Sequence, residues 1–204
     1  TDMAVRHLRR GLQLVPGDVQ LRRLLARDLT ALEQFAEAVQ IWSTLLEQDP
    51  ADTEAREGRV QTLLAQGQPA KARTDTLALL EKDPGNAVHA YHNALAHGAT
   101  PPHQPSQISR ALFDGMAEVY DQHMVRGLKY QLPKQVADRL LAEYPDKKIN
   151  VLDLGCGTGL LGVCLGRLDG ALVGVDISRG MIGQAAKHNV YDRFHHTNLL
   201  DALE

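Results

Sequence analysis

Apolar residues recur at helical spacing through the first half of the chain, and short polar breaks separate the helical stretches. Two of these breaks fall at Glu33-Gln34 and Gly67-Gln68. The pattern predicts two pairs of helices and one further helix, over residues 19–32 and 36–48, 53–65 and 70–82, and 88–97. The first half of the chain is therefore expected to be helical.

The same half repeats itself every 34 residues. One column of this repeat holds prolines, at Pro16, Pro50 and Pro84. Two further columns hold leucine and alanine, at Leu12, Leu46 and Leu80, and at Ala4, Ala38 and Ala72. Proline lacks the amide hydrogen that a helix interior needs, so each proline predicts the end of a helix. A fixed period of this length predicts stacked helix pairs.

Beyond the repeats the pattern changes. Three prolines within residues 98–106 predict a semi-rigid linker. One helical face follows, traced by Leu112, Phe113, Met116, Val119, Tyr120 and Met124. Strands and helices then alternate, with a helix at 133–144, strands at 149–154, 171–175 and 194–197, and helices at 159–168 and 178–188. Such alternation predicts parallel strands joined by right-handed crossovers.

Composition and charge fit a globular protein, with 44% hydrophobic and 23% charged residues among 204. The net charge of −3 gives no overall attraction to nucleic acid or to acidic membranes, and the basic residues near the start are interpreted as solvated helix faces. Neither a membrane span nor a signal peptide is evident, so a cytoplasmic location is expected. Because the chain opens at Thr1 rather than Met, we expect it to be part of something longer.

The candidate chemistry lies at the glycines that follow the first predicted strand, Gly155, Gly157 and Gly159. Glycine permits positive φ and lets a ligand lie on the backbone, where helix N-terminal amides face it. Asp176 ends the second predicted strand, where an acid can bind both hydroxyls of a ribose.

Two cofactor classes remain open at this turn, because residues 157–162 also fit the dinucleotide pattern G-x-G-x-x-G. Asp153 favours a ligand without phosphate, since a carboxylate just before the turn would repel a diphosphate. In place of a diphosphate, S-adenosylmethionine (SAM) presents a cationic sulfonium and a zwitterionic tail. A nicotinamide- or flavin-dependent oxidoreductase remains the alternative.

The 34-residue period resembles tetratricopeptide (TPR) repeats. Ala38, Ala72 and Trp42 fit that family's second helix, whereas Thr76 does not. Arg22 and Arg56 stand where the family often has tryptophan. The resemblance covers residues 2 to about 97 and implies a concave groove for a protein or peptide.

The strings VLDLGCGTG and GVDIS resemble the first two motifs of class I SAM-dependent methyltransferases. The stretch from Phe113 to Met124 resembles the lead-in of bacterial TPR-fused methyltransferases whose substrate is unassigned. The resemblance implies that SAM is lined by Asp153, Gly155, Cys156, Gly157, Gly159, Asp176, Ile177, Asn198, Leu199, Tyr120 and Met181.

Several of these implied roles are specific. Asp176 would hold the ribose, Ile177 would pack on the adenine, and Asn198 would accept a bond from the adenine amino group through its amide oxygen. Tyr120 and Met181 also fit a purely structural role, in the apolar core.

The sequence thus predicts two domains, TPR-like helical repeats over residues 1–98 and an α/β Rossmann-like methyltransferase domain over 107–204, joined by a linker at 99–106. That second domain is expected to be truncated after its third strand. No catalytic base is assigned, and His195-His196 lack partners at metal-ligand spacing. The predicted function is SAM-dependent methyl transfer to an unknown acceptor. The alternatives are an NAD(P)-dependent oxidoreductase and a TPR interaction protein with a vestigial second domain.

Overall fold

The computed structural model describes residues 2–203, and the chain divides into two compact units between Pro105 and Ser106. The first unit is built from helices, and each helix packs on the next along the chain. Its helices are α1 (Asp2–Leu14), α2 (Val19–Ala31), α3 (Phe35–Gln48), α4 (Thr53–Ala65), α5 (Pro69–Lys82) and α6 (Ala87–Ala96). The helical repeat expected from the 34-residue period is confirmed.

An N-cap residue recurs with the same period, at Asp18, Asp52 and Asn86. Each side chain accepts a hydrogen bond from a backbone amide in the first helical turn, at 2.9 to 3.2 Å. Such caps satisfy amides that have no partner inside the helix. The first helix of each pair therefore begins at an equivalent position.

The core of the repeats centres on Trp42, which is fully buried. Its ring lies so close to Gly58 that a Cβ there would stand 2.5 Å from it, so this position requires glycine. The indole nitrogen donates to Thr62 Oγ1 at 3.1 Å. Trp42 thus fills the space between α3 and α4.

The two arginines that depart from the TPR pattern have equivalent roles. Arg22 donates to the carbonyl of Pro16 at 2.7 Å, and Arg56 donates to the carbonyl of Pro50 at 2.6 Å. In both repeats the guanidinium satisfies a carbonyl in the turn that precedes its own helix.

The second unit alternates strands and helices after two leading helical segments. Its elements are α7 (Ser106–Met116), a π-helical segment (Gln122–Gly127), α8 (Leu132–Glu143), β1 (Val151–Leu154), α9 (Leu160–Leu165), β2 (Leu172–Asp176), α10 (Arg179–Ala186) and β3 (Arg193–His196). The strands pair in the order β1-β2-β3, all parallel. The predicted parallel Rossmann-like arrangement is confirmed for these three strands.

The sheet packs on helices through a small apolar core. Buried Ala137 of α8, Leu165 of α9 and Leu172 of β2 form its centre. Because β1 and β2 are parallel, their carboxyl ends lie at one edge of the sheet, and the loops that follow them meet there.

The lead-in to the sheet, residues 106–130, differs from the single helix that its apolar face predicts. α7 ends at Met116, a turn follows, and the next helical segment is π-helical from Gln122. The Leu128 amide there donates to the carbonyl of His123, five residues earlier. Side-chain hydrogen bonds from the lead-in to the loops of the sheet hold this broken path.

Within residues 2–203, no helix combines the length and the apolar character that crossing a bilayer requires.

Candidate functional site

The turn between β1 and α9 has the backbone geometry that its glycines predict. Gly155, Gly157 and Gly159 have φ values of +78°, +53° and +84°. Residues that carry a side chain rarely adopt this left-handed backbone conformation, so each position favours glycine. Nothing lies within 4 Å of a Cβ built at Gly155 or Gly157, so this part of the turn is open to a ligand.

Asp176 ties this glycine turn to the loop after β2. One carboxylate oxygen accepts from the Gly157 amide at 2.9 Å, and the other accepts from the Ser178 amide at 2.8 Å. The residue is only 8% exposed. Each carboxylate oxygen has a second lone pair, so Asp176 can accept further hydrogen bonds from a ligand.

Three further amides of the turn also donate within the protein. The Gly155 and Cys156 amides donate to the carbonyl of Val175, at 2.8 and 3.0 Å, and the Gly159 amide donates to Cys156 at 2.9 Å. A diphosphate would need such amides as donors. These three amides are therefore not available to a diphosphate.

Asp153 at the end of β1 is held from behind by Tyr191, which lies between α10 and β3. The tyrosine hydroxyl donates to the Asp153 carboxylate at 2.6 Å and accepts from the Gly162 amide at 3.3 Å. Burial raises the pKa of Asp153, and the negative charge of Asp176 adds to that rise. The bond from Tyr191 acts in the opposite direction, since it stabilises the ionised carboxylate.

The Tyr191 ring fills the space behind the turn. A Cβ at Gly162 would stand 2.4 Å from this ring, and one at Gly159 would meet Tyr191 and Ala185. Burial also raises the pKa of Tyr191, so its hydroxyl stays a hydrogen-bond donor. Nothing in the local sequence pattern identified Tyr191, because it reaches the turn from 38 residues beyond Asp153.

Cys156 does not have the character of a nucleophile. Its side chain is buried, and burial raises the pKa of the thiol to about 12. A thiol in this state carries almost no thiolate at neutral pH.

Two neighbouring cavities open on the glycine turn. The first cavity, of about 250 Å³, is lined by Tyr120, Tyr130, Leu132, Pro133, Val136, Asp153, Leu154, Gly155, Cys156, Gly157, Thr158, Leu160 and Leu161. The second cavity, of about 310 Å³, is lined by Phe113, Tyr120, Gly155, Gly157, Asp176, Ile177, Met181, Asn198 and Leu199. Tyr120, Gly155 and Gly157 belong to both, so they mark the boundary between the cavities.

The structure brings ten of the eleven predicted cofactor residues to one or other cavity. Gly159 is the exception: it opens α9 and lies against Ala185 and Tyr191, behind the turn. Met181 is 2% exposed and also lines the second cavity, so it contributes to both the core and the wall.

Asn198 lines the second cavity, but its polar atoms serve the following turn. Its amide oxygen accepts from the Leu200 and Asp201 amides at 2.8 and 3.0 Å, and its NH₂ group donates to Asp201. Both lone pairs of that oxygen are thus in use. This geometry leaves Asn198 as a wall residue, without the free acceptor expected for an adenine amino group.

Besides Tyr191, the sequence analysis also missed Asp114, Asp121 and Thr158. Asp114 accepts from Ser178 Oγ at 2.6 Å and from the Gly180 amide at 2.9 Å. These two hydrogen bonds lower the pKa of Asp114. Asp121 accepts from the buried hydroxyl of Thr158 in the glycine turn. The repeated aromatic-Asp pairs, Phe113-Asp114 and Tyr120-Asp121, could have pointed to them.

His196, the second of the two adjacent histidines, serves the local structure. His196 Nε2 lies 2.9 Å from the carbonyl of Ile177, and its Nδ1 lies 3.3 Å from Arg179 Nε. Within the part of the chain that the structure describes, no group of three or more His, Cys, Asp or Glu side chains is placed to hold a metal ion.

Comparisons with known proteins match each half of the chain separately. A family model described as a methyltransferase domain matches residues 151–203, and one described as a tetratricopeptide repeat matches residues 1–57 and 29–98. The ER membrane protein complex subunit 2 of Xenopus tropicalis is 31% identical over 91 residues, which is 45% of this chain and 30% of that protein. The chain therefore spans less than a third of that relative's length.

Proposed function

We propose that this chain, in which tetratricopeptide repeats precede a methyltransferase domain, binds SAM in the two cavities and donates its methyl group to an acceptor. The observation that carries the proposal is the pairing of an open glycine turn with two carboxylates, Asp153 and Asp176, one at each cavity. This arrangement suits a ligand with a cationic centre and a ribose.

The second cavity has the groups that an adenosine needs. Asp176 keeps acceptor capacity for the two ribose hydroxyls, as the dinucleotide-binding folds also use an acid after this strand. Ile177, Met181 and Leu199 provide apolar surface for an adenine ring.

The first cavity complements the zwitterionic tail of SAM. The Asp153 carboxylate is an acceptor for the ammonium group, while the hydroxyls of Tyr120 and Tyr130 are donors for the carboxylate. Burial raises the pKa of Tyr120, so that hydroxyl keeps its proton near neutral pH. The sulfonium would then lie near the boundary of the two cavities.

A dinucleotide suits these cavities less well. Among the described residues no lysine or arginine lines either cavity, and the turn amides at Gly155, Cys156, Gly157 and Gly159 already donate within the protein. A diphosphate would meet two carboxylates without a compensating positive charge.

When bound, SAM would supply an electrophilic methyl group on a good leaving group. The chain's own residues then bind and orient the cofactor and keep water from it. The methyl acceptor and any catalytic base stay unassigned. The TPR repeats support a role in binding a protein or peptide, and a cytoplasmic location stays a prediction.

Titration calorimetry of the whole chain with SAM, S-adenosylhomocysteine and NAD tests the proposal. We expect both adenosyl ligands to bind and NAD not to bind. Asp176→Asn removes one carboxylate oxygen and should weaken S-adenosylhomocysteine about tenfold, a loss that matches a hydrogen bond to a charged group. Binding of NAD alone would favour the oxidoreductase, and binding of none of the three would favour a vestigial domain.

A further inference from the structure

The lead-in carries two aromatic-Asp pairs seven residues apart, Phe113-Asp114 and Tyr120-Asp121. In both pairs the aromatic residue lines the second cavity. In both pairs the carboxylate that follows it binds a loop at the carboxyl edge of the sheet. The two pairs therefore share one arrangement, an aromatic wall residue beside an acidic anchor.

The first anchor joins the lead-in to the start of α10. Asp114 Oδ1 accepts two hydrogen bonds there, from Ser178 Oγ and from the Gly180 amide. Ser178 is itself the N-cap of α10, and its hydroxyl accepts from the Met181 amide at 3.0 Å. Asp114 thus extends the cap of the helix that follows the proposed ribose-binding residue.

The second anchor joins the lead-in to the glycine turn. Thr158 is 2% exposed, and its hydroxyl donates to Asp121 across 37 residues of sequence. The lead-in is thereby fixed to the loops after both β1 and β2, the two loops that carry the proposed cofactor contacts.

Apolar burial contributes little to holding the lead-in. α7 and the π-helical segment, both fully described, contain no buried residue, and Leu112 and Val119 are more than half exposed. The lead-in approaches α10 closely at Gly180, where a Cβ would stand 3.0 Å from that of Ala117. Two carboxylate anchors and one close backbone approach therefore define its position.

We propose that Asp114 and Asp121 are positioning residues that fasten the lead-in across the second cavity, so that Phe113 and Tyr120 complete the wall around a bound adenosyl group. This inference rests on the proposed function. The carboxylates do not touch the ligand, and they act through the two aromatic residues. Ligand binding and closure of the lead-in are then coupled, because each stabilises the other.

Gly180→Ala tests the close approach, with Gly183→Ala as its matched control. Both substitutions replace a glycine of α10 with the best helix former, but a Cβ at Gly183 meets nothing within 4 Å. We expect Gly180→Ala to weaken S-adenosylhomocysteine about tenfold, and Gly183→Ala to leave the affinity unchanged. Equal affinities for the two variants would overturn the inference.

Asp114→Ala and Asp121→Ala test the two carboxylate anchors. Asp114→Asn and Asp121→Asn are the matched rescue variants, because the asparagine amide oxygen still accepts hydrogen bonds. We expect each alanine variant to weaken S-adenosylhomocysteine by about three- to tenfold, and the asparagine variants to recover most of that loss. Loss without recovery by asparagine would contradict a positioning role.

Hydrogen exchange on the unaltered chain provides a readout that needs no variant. A saturating concentration of S-adenosylhomocysteine should slow exchange of the amides in residues 106–121. If the ligand binds and leaves these amides unprotected, the inference fails while the proposed function stands. If the unaltered chain does not bind S-adenosylhomocysteine at all, the proposed function fails and the inference with it.

Discussion

Tyr191 illustrates how a residue outside the cavities can set the chemistry inside one. Its hydroxyl bonds to Asp153, whose carboxylate lines the first cavity. Burial raises the pKa of Asp153, and the tyrosine bond counteracts this rise by stabilising the charged form. Tyr191, 38 positions away in the sequence, therefore favours the ionised form of Asp153 that the proposed ammonium contact needs.

Tyr191→Phe should therefore lower the affinity for ligands that carry the amino-acid tail and leave the affinity for ligands without this tail unchanged. We expect the affinity for S-adenosylhomocysteine to fall about three- to tenfold, while that for 5′-methylthioadenosine stays unchanged, both measured by titration calorimetry. Equal losses for the two ligands would mean that Tyr191 supports only the fold of the turn.

The hydrogen bond between Tyr191 and Asp153 also predicts how ligand affinity depends on pH. The ammonium group binds the ionised form of Asp153, so affinity for S-adenosylhomocysteine should fall as the pH drops through the pKa of this carboxyl. Tyr191→Phe removes a bond that favours the ionised form, so the pKa rises further and the fall should begin at a higher pH. A pH profile that this substitution leaves unmoved would contradict the assignment of Asp153.

At the scale of secondary-structure elements, the 34-residue period also places the N-cap residues of the helices. Asp52 accepts from the Ala55 amide at 3.0 Å and also pairs with Arg23 at 2.6 Å. It thus links the start of α4 to α2, the first helix of the preceding pair. The period that aligns the helices also aligns the groups that begin them.

Asp52→Ala should lower the free energy of unfolding of the repeats by about 1–2 kcal/mol, the usual loss for an N-cap. Asp52→Asn is the matched control, because asparagine caps as well as aspartate but loses the charge that pairs with Arg23. Urea unfolding followed by the fluorescence of Trp42, the chain's one tryptophan, measures both variants. If Asp52→Asn lowers the free energy of unfolding as much as Asp52→Ala does, the effect comes from the ion pair with Arg23 and not from the cap.

The sequence predicts the regular elements well where their cause is local. The helices α2 to α6 begin and end within about one residue of the predicted bounds, because the proline column and the polar breaks mark their ends. The glycine turn likewise follows from its own residues. The broken lead-in and the position of Tyr191 could not be predicted, since both depend on contacts between residues 37 to 66 positions apart.

At the scale of the whole molecule, the two units have separate cores and separate chemistry. Buried Leu29, Trp42 and Leu79 belong to the repeats, and buried Leu165 and Leu172 belong to the sheet unit. The described polar groups proposed to hold a cofactor all lie in the second unit. The proposed cofactor site thus involves the second unit alone.

A crystal structure of the chain with S-adenosylhomocysteine tests the central claim most directly. The account predicts ribose hydroxyls on Asp176, adenine against Ile177, and the amino-acid tail in the cavity that Asp153 lines. A ligand bound elsewhere, or in the reversed orientation with adenine beside Asp153, would contradict it.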